Sequence, residues 1–332
     1  MLVNLGAEAD EDEVRLDTCT FSRLSPAIMI VTFYGVRGSS ATPGPLTVKY
    51  GGNTSCVHIQ LENGNDLILD AGSGIRLLGH KLAKKSNPVN ILLSHSHWDH
   101  IQGYPFFDPI YQPGRVIDVY VSVESGRILL NSLMVQMDGT HFPVRAEDLP
   151  SFAMPKFKGI ESELYEREGI QVVRKPLNHP GGGVAYRIEE NGVRCAYVTD
   201  NELDPPHKPA TRYDQWVNYL HGVDLLIHDA QYTQDDMPHR HGWGHSLISQ
   251  VRQLAADAEV GTLVMFHHDP DRTDAELDEI QIENDKYLKS MHAPTRCVCA
   301  AEGMQITLTK PFLGGFTKTD IGSEPVWGKL KA

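Results

Sequence analysis

Three histidines and an aspartate fall within six consecutive residues of this chain. The stretch His95-Ser96-His97-Trp98-Asp99-His100 follows the apolar run from Val89 to Leu93. Such a run predicts a short buried strand, so the polar groups lie where a strand ends and a loop begins. A strand end is a rigid support, which a metal site needs if several ligands are to keep a fixed geometry. Imidazole nitrogens and a carboxylate suit Zn²⁺, Mn²⁺ or Fe. A closed structural zinc site is not indicated, because no cysteine lies nearby.

Further histidines and aspartates follow predicted strands in the second half of the chain. They are His179, Asp200, His228 with Asp229, and His267. Each of them alone is more often a hydrogen-bonded residue at a strand end than a metal ligand. Several strands each deliver such a side chain, however, and chance explains this pattern poorly. We therefore predict that they join the first cluster, and that the cluster is not simply a histidine-rich surface loop.

The pattern His-x-His-x-Asp-His after an apolar strand resembles that of the metallo-β-lactamase-fold hydrolases. The resemblance implies an α/β fold, an αββα sandwich in which two mixed β-sheets are flanked by helices. It also implies two divalent metal ions, with zinc expected first and manganese or iron as alternatives. The implied ligands are His95, His97 and His179 for the first metal, Asp99, His100 and His267 for the second, and Asp200 as the bridge. His267 is preferred to His268 because it follows its strand directly, and His268 is expected to line the pocket.

Two such metals suit the hydrolysis of a phosphoester. At a separation of roughly 3.5–4 Å they share a water, lower its pKa and neutralise charge on the phosphoryl oxygens. The expected reaction is attack by this metal-bridging hydroxide, which Asp99 orients as well as binding metal. The leaving oxygen must then receive a proton.

Gly244-His245-Ser246 is the candidate for proton donation. It resembles the histidine motif of the ribonuclease Z and cyclic-phosphodiesterase branch, in which the histidine protonates the leaving oxygen and is paired with an acid. The resemblance pairs His245 with Asp229, whose negative charge would favour the protonated imidazole. The alternative is that His245 caps the following helix and Asp229 is a buried acid at a strand end.

Hydrophobic periodicity predicts the elements that must position these residues. Strands are expected at 27–34, 56–61, 66–70, 89–93, 117–123, 171–175, 183–188, 193–199, 223–227, 263–266, 295–299 and 304–308. Helices are expected at about 75–85, 126–137 and 246–258, and from a capping-box sequence that begins at Thr273. The sequence thus predicts a catalytic domain over residues 27–310, between an acidic N-terminal tail (1–26) and a C-terminal tail (311–332).

The segment 138–165 breaks this periodicity and is rich in phenylalanine and proline. A long aromatic loop beyond a metal cluster indicates either a lid or substrate wall, or a packed surface excursion.

Cysteine usage and hydropathy bear on location. The five cysteines are scattered and odd in number, which favours reduced thiols. No signal peptide opens the chain and no apolar run reaches transmembrane length, so we expect a cytoplasmic protein that does not bind a membrane.

The expected substrate is a small phosphodiester, above all a 3′,5′-cyclic nucleotide or another cyclic phosphate. A formal net charge of −13 disfavours a nucleic-acid polymer, because a negative surface repels phosphate backbones. His179 and Asp200 are only 21 positions apart, which leaves no room for the tRNA-gripping arm of ribonuclease Z. Arg37 is a candidate for a phosphate contact, or else the partner of a structural acid.

Three other functions stay open. The chain could hydrolyse another ester class, such as a thioester or a lactone, or could be a ribonuclease Z-like nuclease. It could also sense a nucleotide through a degenerate site, although the intact ligand set argues against this. A homodimer is implied by the resemblance alone.

Overall fold

The structure, a computed structural model, describes residues 26–120, 126–151, 153–156, 169–311 and 315–323. The predicted N-terminal tail therefore lies outside the described residues, apart from its last position. Most of the predicted lid segment is described, but residues 152 and 157–165 of it are not. Within the described residues, every helix is too short or too polar to cross a bilayer.

Eight strands of the described chain form the first sheet. They are β1 (Ala27–Gly35), β2 (Cys56–Gln60), β3 (Asp66–Leu69), β4 (Val89–Leu92), β5 (Ile117–Tyr120), β6 (Ala153–Lys156), β13 (Met304–Lys310) and β14 (Lys318–Ser323). Their spatial order is β14-β13-β1-β2-β3-β4-β5-β6. Pairing is antiparallel from β14 to β3 and parallel from β3 to β6, so this sheet is mixed.

Six described strands form the second sheet. They are β7 (Gln171–Pro176), β8 (Val184–Glu190), β9 (Val193–Val198), β10 (Leu225–Asp229), β11 (Thr262–Phe266) and β12 (Arg296–Cys299). Their order is β12-β11-β10-β9-β8-β7, with antiparallel pairs from β7 to β9 and parallel pairs from β9 to β12. The prediction of two mixed sheets is confirmed.

The two sheets pack face to face through one hydrophobic core. Val31 and Phe33 of β1 alternate inward and meet Tyr197 and Phe266 of the second sheet, with 6.1 Å between the ring centroids of Phe33 and Phe266. Alternate residues of a strand face opposite sides, so the same strands present a second apolar face to the helices. The sandwich follows from this two-faced burial.

Six helices of the described chain complete the outer layers. They are α1 (Ile75–Leu82), α2 (Trp98–Ile101), α3 (Gly126–Val135), α4 (Tyr213–Leu220), α5 (Ile248–Asp257) and α6 (Asp274–Ser290). Buried residues of α1 pack on the first sheet, and those of α4, α5 and α6 pack on the second. The predicted capping box is present at α6, where Thr273 Oγ1 accepts from Glu276 N, and Glu276 Oε2 accepts from Thr273 N.

Four described elements differ from the expectation. α2 is a single helical turn in the stretch predicted as a loop after the strand. α4 was not predicted, although Trp216, Tyr219 and Leu220 form its buried stripe. β6 lies within the segment that has no clear period. β14 lies beyond residue 310, where the sequence indicates a tail, and pairs with β13 from Met304 to Thr309, so the sheet extends to Ser323.

Candidate metal centre

The predicted ligands meet at one edge of the sandwich because of strand direction. The histidine cluster follows β4, Asp200 follows β9, and His267 follows β11. β9, β10 and β11 are parallel neighbours, so their carboxyl ends open on one side of the sheet. His179 enters from the turn between β7 and β8.

Asp200 and His267 make these turns with left-handed backbone, at φ 49° and φ 58°. Asp70, which follows β3 beside the cluster, does the same at φ 61°. L-residues other than glycine rarely adopt this conformation, although Asp and His tolerate it better than most.

The first group of candidate ligands is His95, His97, His179 and Asp200, with one potential ligand atom from each lying within 4.8 Å of the others. His179 Nε2 is 3.0 Å from His97 Nδ1, and His95 Nε2 is 3.5 Å from Asp200 Oδ2. His95 Nε2 is buried and has no hydrogen-bond partner. Burial also lowers the pKa of His95 well below its usual value, so its ring is neutral and can offer a lone pair.

The second group is Asp99, His100, Asp200 and His267, again with ligand atoms within 4.8 Å of one another. The Nε2 atoms of His100 and His267 are 3.3 Å apart, and each is 3.1 Å from Asp200 Oδ1. Asp99 Oδ2 is 3.1 Å from His267 Nε2 and 3.2 Å from His100 Nε2. Asp200 thus faces the first group with Oδ2 and the second group with Oδ1.

In three of the candidate histidine ligands, the ring nitrogen that faces away from the cluster makes a hydrogen bond. His100 Nδ1 bonds to Asp70 Oδ2 (2.8 Å), His179 Nδ1 to Gly244 O (3.0 Å), and His267 Nδ1 to Gln231 Oε1 (2.9 Å). A proton on Nδ1 leaves Nε2 free to bind a cation, and such outer contacts fix the ring and its tautomer.

The electrostatics of this edge also fit a cation. Burial opposes a charge on His100, yet Asp200, Asp99 and Asp70 together raise its pKa well above the usual value. Burial likewise opposes ionisation of Asp99, but the neighbouring His100 and His267 hold its pKa below the usual range. Buried carboxylates that attract a proton to a neighbouring ring would attract a divalent cation more strongly. The donor set and its charge therefore fit two metal ions.

His245 and Asp229 form a buried pair beside this cluster. His245 Nδ1 lies 2.8 Å from Asp229 Oδ2, and the His245 ring stacks on that of His267 with centroids 5.1 Å apart. Burial lowers the pKa of His245, but the Asp229 carboxylate outweighs this and raises it to about 9. Asp229 is itself held by the backbone N–H groups of Asn201 (3.1 Å) and Gln231 (3.0 Å).

The His245 ring also borders a pocket. This pocket has a volume of about 180 Å³ and is lined by Glu202, Asp204, Met237, Pro238, His241, His245, Leu247 and Gln250. Its lining combines three apolar side chains with two carboxylates, two imidazoles and an amide. Such a surface can accept a group that has an apolar face and hydrogen-bonding edges.

Arg37 and His268 are not brought to this edge. Arg37 is fully buried, and its guanidinium donates to Gly51 O (2.8 Å) and Arg272 O (2.6 Å). His268 is buried too, with Nε2 at 2.9 Å from Ala300 O. Arg37 Nη2 also lies 4.0 Å from Asp274 Oδ1, an acid that fits the structural alternative. The substrate contacts predicted for Arg37 and His268 receive no support from their positions. His228 is likewise buried away from the cluster, with Nδ1 at 2.6 Å from Asp229 O.

Sequence reasoning missed three residues that shape the site. Asp70 accepts from Ser94 N, Ser94 Oγ and Tyr197 OH as well as contacting His100. Gln231 contacts His267, and Glu202 contacts the loop before His245. Asp70 follows a strand next to β4, so the strand-end rule used for the other acids would have found it.

The chain is similar to known proteins in sequence and in fold. The family model for the β-lactamase superfamily domain matches residues 65–268 of this chain. A ribonuclease Z from Thermoplasma acidophilum is 23% identical over 292 residues, which cover 74% of this chain and 88% of that protein.

Two solved structures share the fold. The metallo-β-lactamase fold protein YhfI from Bacillus subtilis has a TM-score of 0.58 at 16% identity and covers 89% of this chain and 100% of its own. The short form of human tRNase Z has a TM-score of 0.54 at 20% identity and covers 83% of this chain and 98% of its own.

The exclusion of a nucleic-acid polymer is wrong, because the relatives include ribonucleases Z that this chain matches over most of their length. The physical error lies in counting charge over the whole chain. Cations bound at one edge would set the local field for a phosphodiester, whatever the sign of the distant surface. The same linkage also joins the nucleotides of RNA.

Proposed function

Because the chain belongs to the β-lactamase superfamily, we propose that it is a dinuclear metal-dependent phosphodiesterase of the ribonuclease Z-like branch. The observation that carries this proposal is the pairing of two groups of ligand atoms with a buried acid–imidazole pair. Ligand groups alone would suit many hydrolases. A histidine whose pKa is raised to about 9 adds an acid that can protonate a poor leaving group.

The metal roles follow the two groups. One cation would be held by His95, His97 and His179, the other by Asp99, His100 and His267, and both by Asp200. Two bound divalent cations would supply a water of lowered pKa and positive charge beside the phosphoryl oxygens. Zinc is the first candidate, since nitrogen ligands predominate, and manganese or iron are the alternatives.

The other steps belong to the chain's own side chains. Asp99 accepts a hydrogen bond from Ser39 N (2.8 Å), which keeps one of its oxygens in place at the centre. His245 holds one proton on Nδ1 against Asp229, and in the protonated ring a second proton on Nε2 is available to the leaving oxygen. Asp229 stabilises the imidazolium until that proton has been transferred.

The substrate proposal is a small phosphodiester, first a 3′,5′-cyclic nucleotide or another cyclic phosphate. The pocket beside His245 supports it, because a group attached to the leaving oxygen must lie on the side of the proton donor. RNA is the second candidate, supported by the ribonucleases Z among the relatives. A homodimer and a cytoplasmic location stay predictions.

One screen tests the function. Purified protein loaded with Zn²⁺, Mn²⁺ or Fe²⁺ is assayed on bis-p-nitrophenyl phosphate, 3′,5′-cyclic nucleotides, linear dinucleotides, a tRNA precursor, a thioester and a lactone. We expect turnover of phosphodiesters with about two metal ions per chain. Turnover of the thioester or lactone alone would identify the other ester class. Metal binding without turnover of any substrate would indicate a sensor.

A matched pair of histidine variants connects metal and activity. His97→Ala should lose metal and turnover together, because its ring lies 3.0 Å from His179 within the first group. The control is His80→Ala on α1, whose exposed ring pairs with Asp108. Full activity in His97→Ala would contradict the proposed ligand set.

A further inference from the structure

Glu202 lies two residues after Asp200 and has no part in the reaction proposed for the other side chains. The residue is buried, with 2% of its surface exposed. Its side-chain oxygens accept from two backbone N–H groups of one loop, Oε1 from Gly242 (2.8 Å) and Oε2 from Gly244 (3.0 Å). His241 Nε2, on a more exposed side chain, is 3.7 Å from Oε1. A buried carboxylate is costly unless its hydrogen bonds are strong, so this arrangement calls for a reason beyond filling space.

Gly244 connects Glu202 to both halves of the site. Its carbonyl oxygen is 3.0 Å from His179 Nδ1, and its peptide bond leads into His245. It has φ +91°, and a Cβ built on it would lie 2.2 Å from His179 Nδ1. The space beside His179 therefore accepts the backbone of this residue and nothing larger. A shift of Gly244 would move the outer contact of a ligand and the proton donor together.

The backbone of Glu202 holds the other side of the same ligand. Glu202 N donates to Asn178 O (3.0 Å), and Glu202 O accepts from Asn178 Nδ2 (3.0 Å). Asn178 directly precedes His179 in the chain. Glu202 thus restrains His179 from two sides, through Asn178 by its backbone and through Gly244 by its carboxylate.

We propose that Glu202 is a positioning residue whose carboxylate fixes the 242–244 loop, and thereby sets His179 for metal binding and His245 for proton donation. The role of His245 rests on the proposed function, whereas the role toward His179 does not. Outer-shell contacts of metal-bound histidines typically change metal affinity or activity by about 10- to 100-fold when removed.

The test uses Glu202→Gln and Glu202→Asp, with Glu190→Gln as the matched control. Glutamine keeps the length but turns an N–H₂ group toward one of the two amides. Aspartate keeps the charge but is one methylene shorter. Glu190 is also a buried glutamate that accepts from a loop N–H, that of Glu62 (3.0 Å), but it lies at the end of β8 away from the centre.

Two readouts are taken from each folded protein. Zinc affinity is measured by chelator competition, without any substrate. Turnover is measured on aryl methyl phosphodiesters whose leaving phenols range from p-nitrophenol to phenol. For both Glu202 variants we expect zinc binding weaker by about 10-fold or more. We also expect a steeper loss of turnover as the leaving group becomes poorer.

The outcomes separate the two proposals. Zinc affinity and leaving-group dependence that match those of Glu190→Gln, whatever the melting temperature, would overturn the positioning role. If the wild type hydrolyses no phosphodiester, the proposed function fails, but the zinc measurement still decides whether Glu202 positions His179. Should Glu202→Gln not fold, Glu202→Asp gives the same comparison with the charge retained.

Discussion

Replacing Asp229 with asparagine should change the pH dependence of the reaction more than its maximum rate. The pKa of His245 is raised to about 9 by the Asp229 carboxylate, from a usual value of 6.5 and against the effect of burial. Asparagine has nearly the same shape but no charge. Without the carboxylate, the pKa of His245 should fall to its usual value or below.

The size of the effect follows from the protonated fraction. A proton donor must carry its proton, and that fraction falls as the pH rises through the pKa. At pH 8 a ring with a pKa of about 9 is about nine-tenths protonated, and one with a pKa of about 6.5 is only about 3% protonated. The variant should therefore be slower by about 30-fold at pH 8 and nearly unaffected at pH 6.

The assay must separate this effect from damage to the fold. Asp229 accepts backbone N–H groups of Asn201 and Gln231, so one of these loses its acceptor in the variant. That loss costs about 1–3 kcal/mol of stability. Loss of the ion pair with His245 adds a cost that is largest near pH 6 and falls as the pH approaches 9, because the pKa of His245 is about 9 in the folded protein. Turnover of phenyl and p-nitrophenyl phosphodiesters is measured from pH 6 to 9, beside melting temperatures.

The matched control is Asp224→Asn. Asp224 precedes β10, whereas Asp229 ends it, and its carboxylate also accepts a backbone N–H, that of Arg194 (2.8 Å). We expect this variant to keep the wild-type pH profile. If Asp229→Asn lowers the rate by the same factor at every pH, or equally for both leaving groups, the pairing does not sustain a proton donor and the reasoning is refuted.

Three further predictions concern other parts of the molecule. Gly38→Ala should weaken binding of the second metal, because a Cβ at this position would lie 2.3 Å from His267 Nδ1; metal analysis should show about one ion lost per chain, and two retained ions would contradict the packing argument. Phe266→Ala should lower the free energy of unfolding by about 3–5 kcal/mol, since its fully buried ring joins both sheets, and urea titration would expose a smaller loss. Thr273→Ala should lower the free energy of unfolding by about 1 kcal/mol through loss of the cap of α6. Metal content should stay unchanged, and a change in it would mean that α6 is coupled to the site.

The convergence of the candidate ligands could be predicted because each of them stands at a boundary between two strong signals. His95 and His267 each follow an apolar strand, and apolar strands are the elements that sequence identifies best. Parallel pairing of β9, β10 and β11 places Asp200 and His267 at one edge, and the packing of the two sheets brings the end of β4 to the same edge. The hydrogen-bond partners of the candidate ligands were not predicted, because side-chain direction decides which residues they are. Whether Glu202 or Gln231 faces a ligand depends on loop geometry, which no periodicity encodes.

The missed elements have a different cause. β14 is mostly polar and exposed, so its strand state comes from pairing with β13 rather than from its own residues. α4 has eight residues, and a stripe of three buried positions is too short to show a period. The exclusion of a nucleic-acid polymer was wrong for a third reason, because net charge is a sum over the chain and the field at a site is not.

The left-handed backbone at Asp70, Asp200 and His267 lowers the free energy of unfolding at the positions that form the site. Glycine would relieve roughly 1 kcal/mol of backbone strain at each position, but it would also remove buried hydrogen bonds, such as those that Asp70 accepts from Ser94 and Tyr197. A library of this chain selected for heat resistance alone, without metal, should therefore favour asparagine at Asp70 and Asp200, because asparagine tolerates the left-handed backbone and keeps one hydrogen-bond acceptor. Its survivors would be hardier proteins that have lost the chemistry, and the rate at which they appear would measure how much stability the centre costs its host.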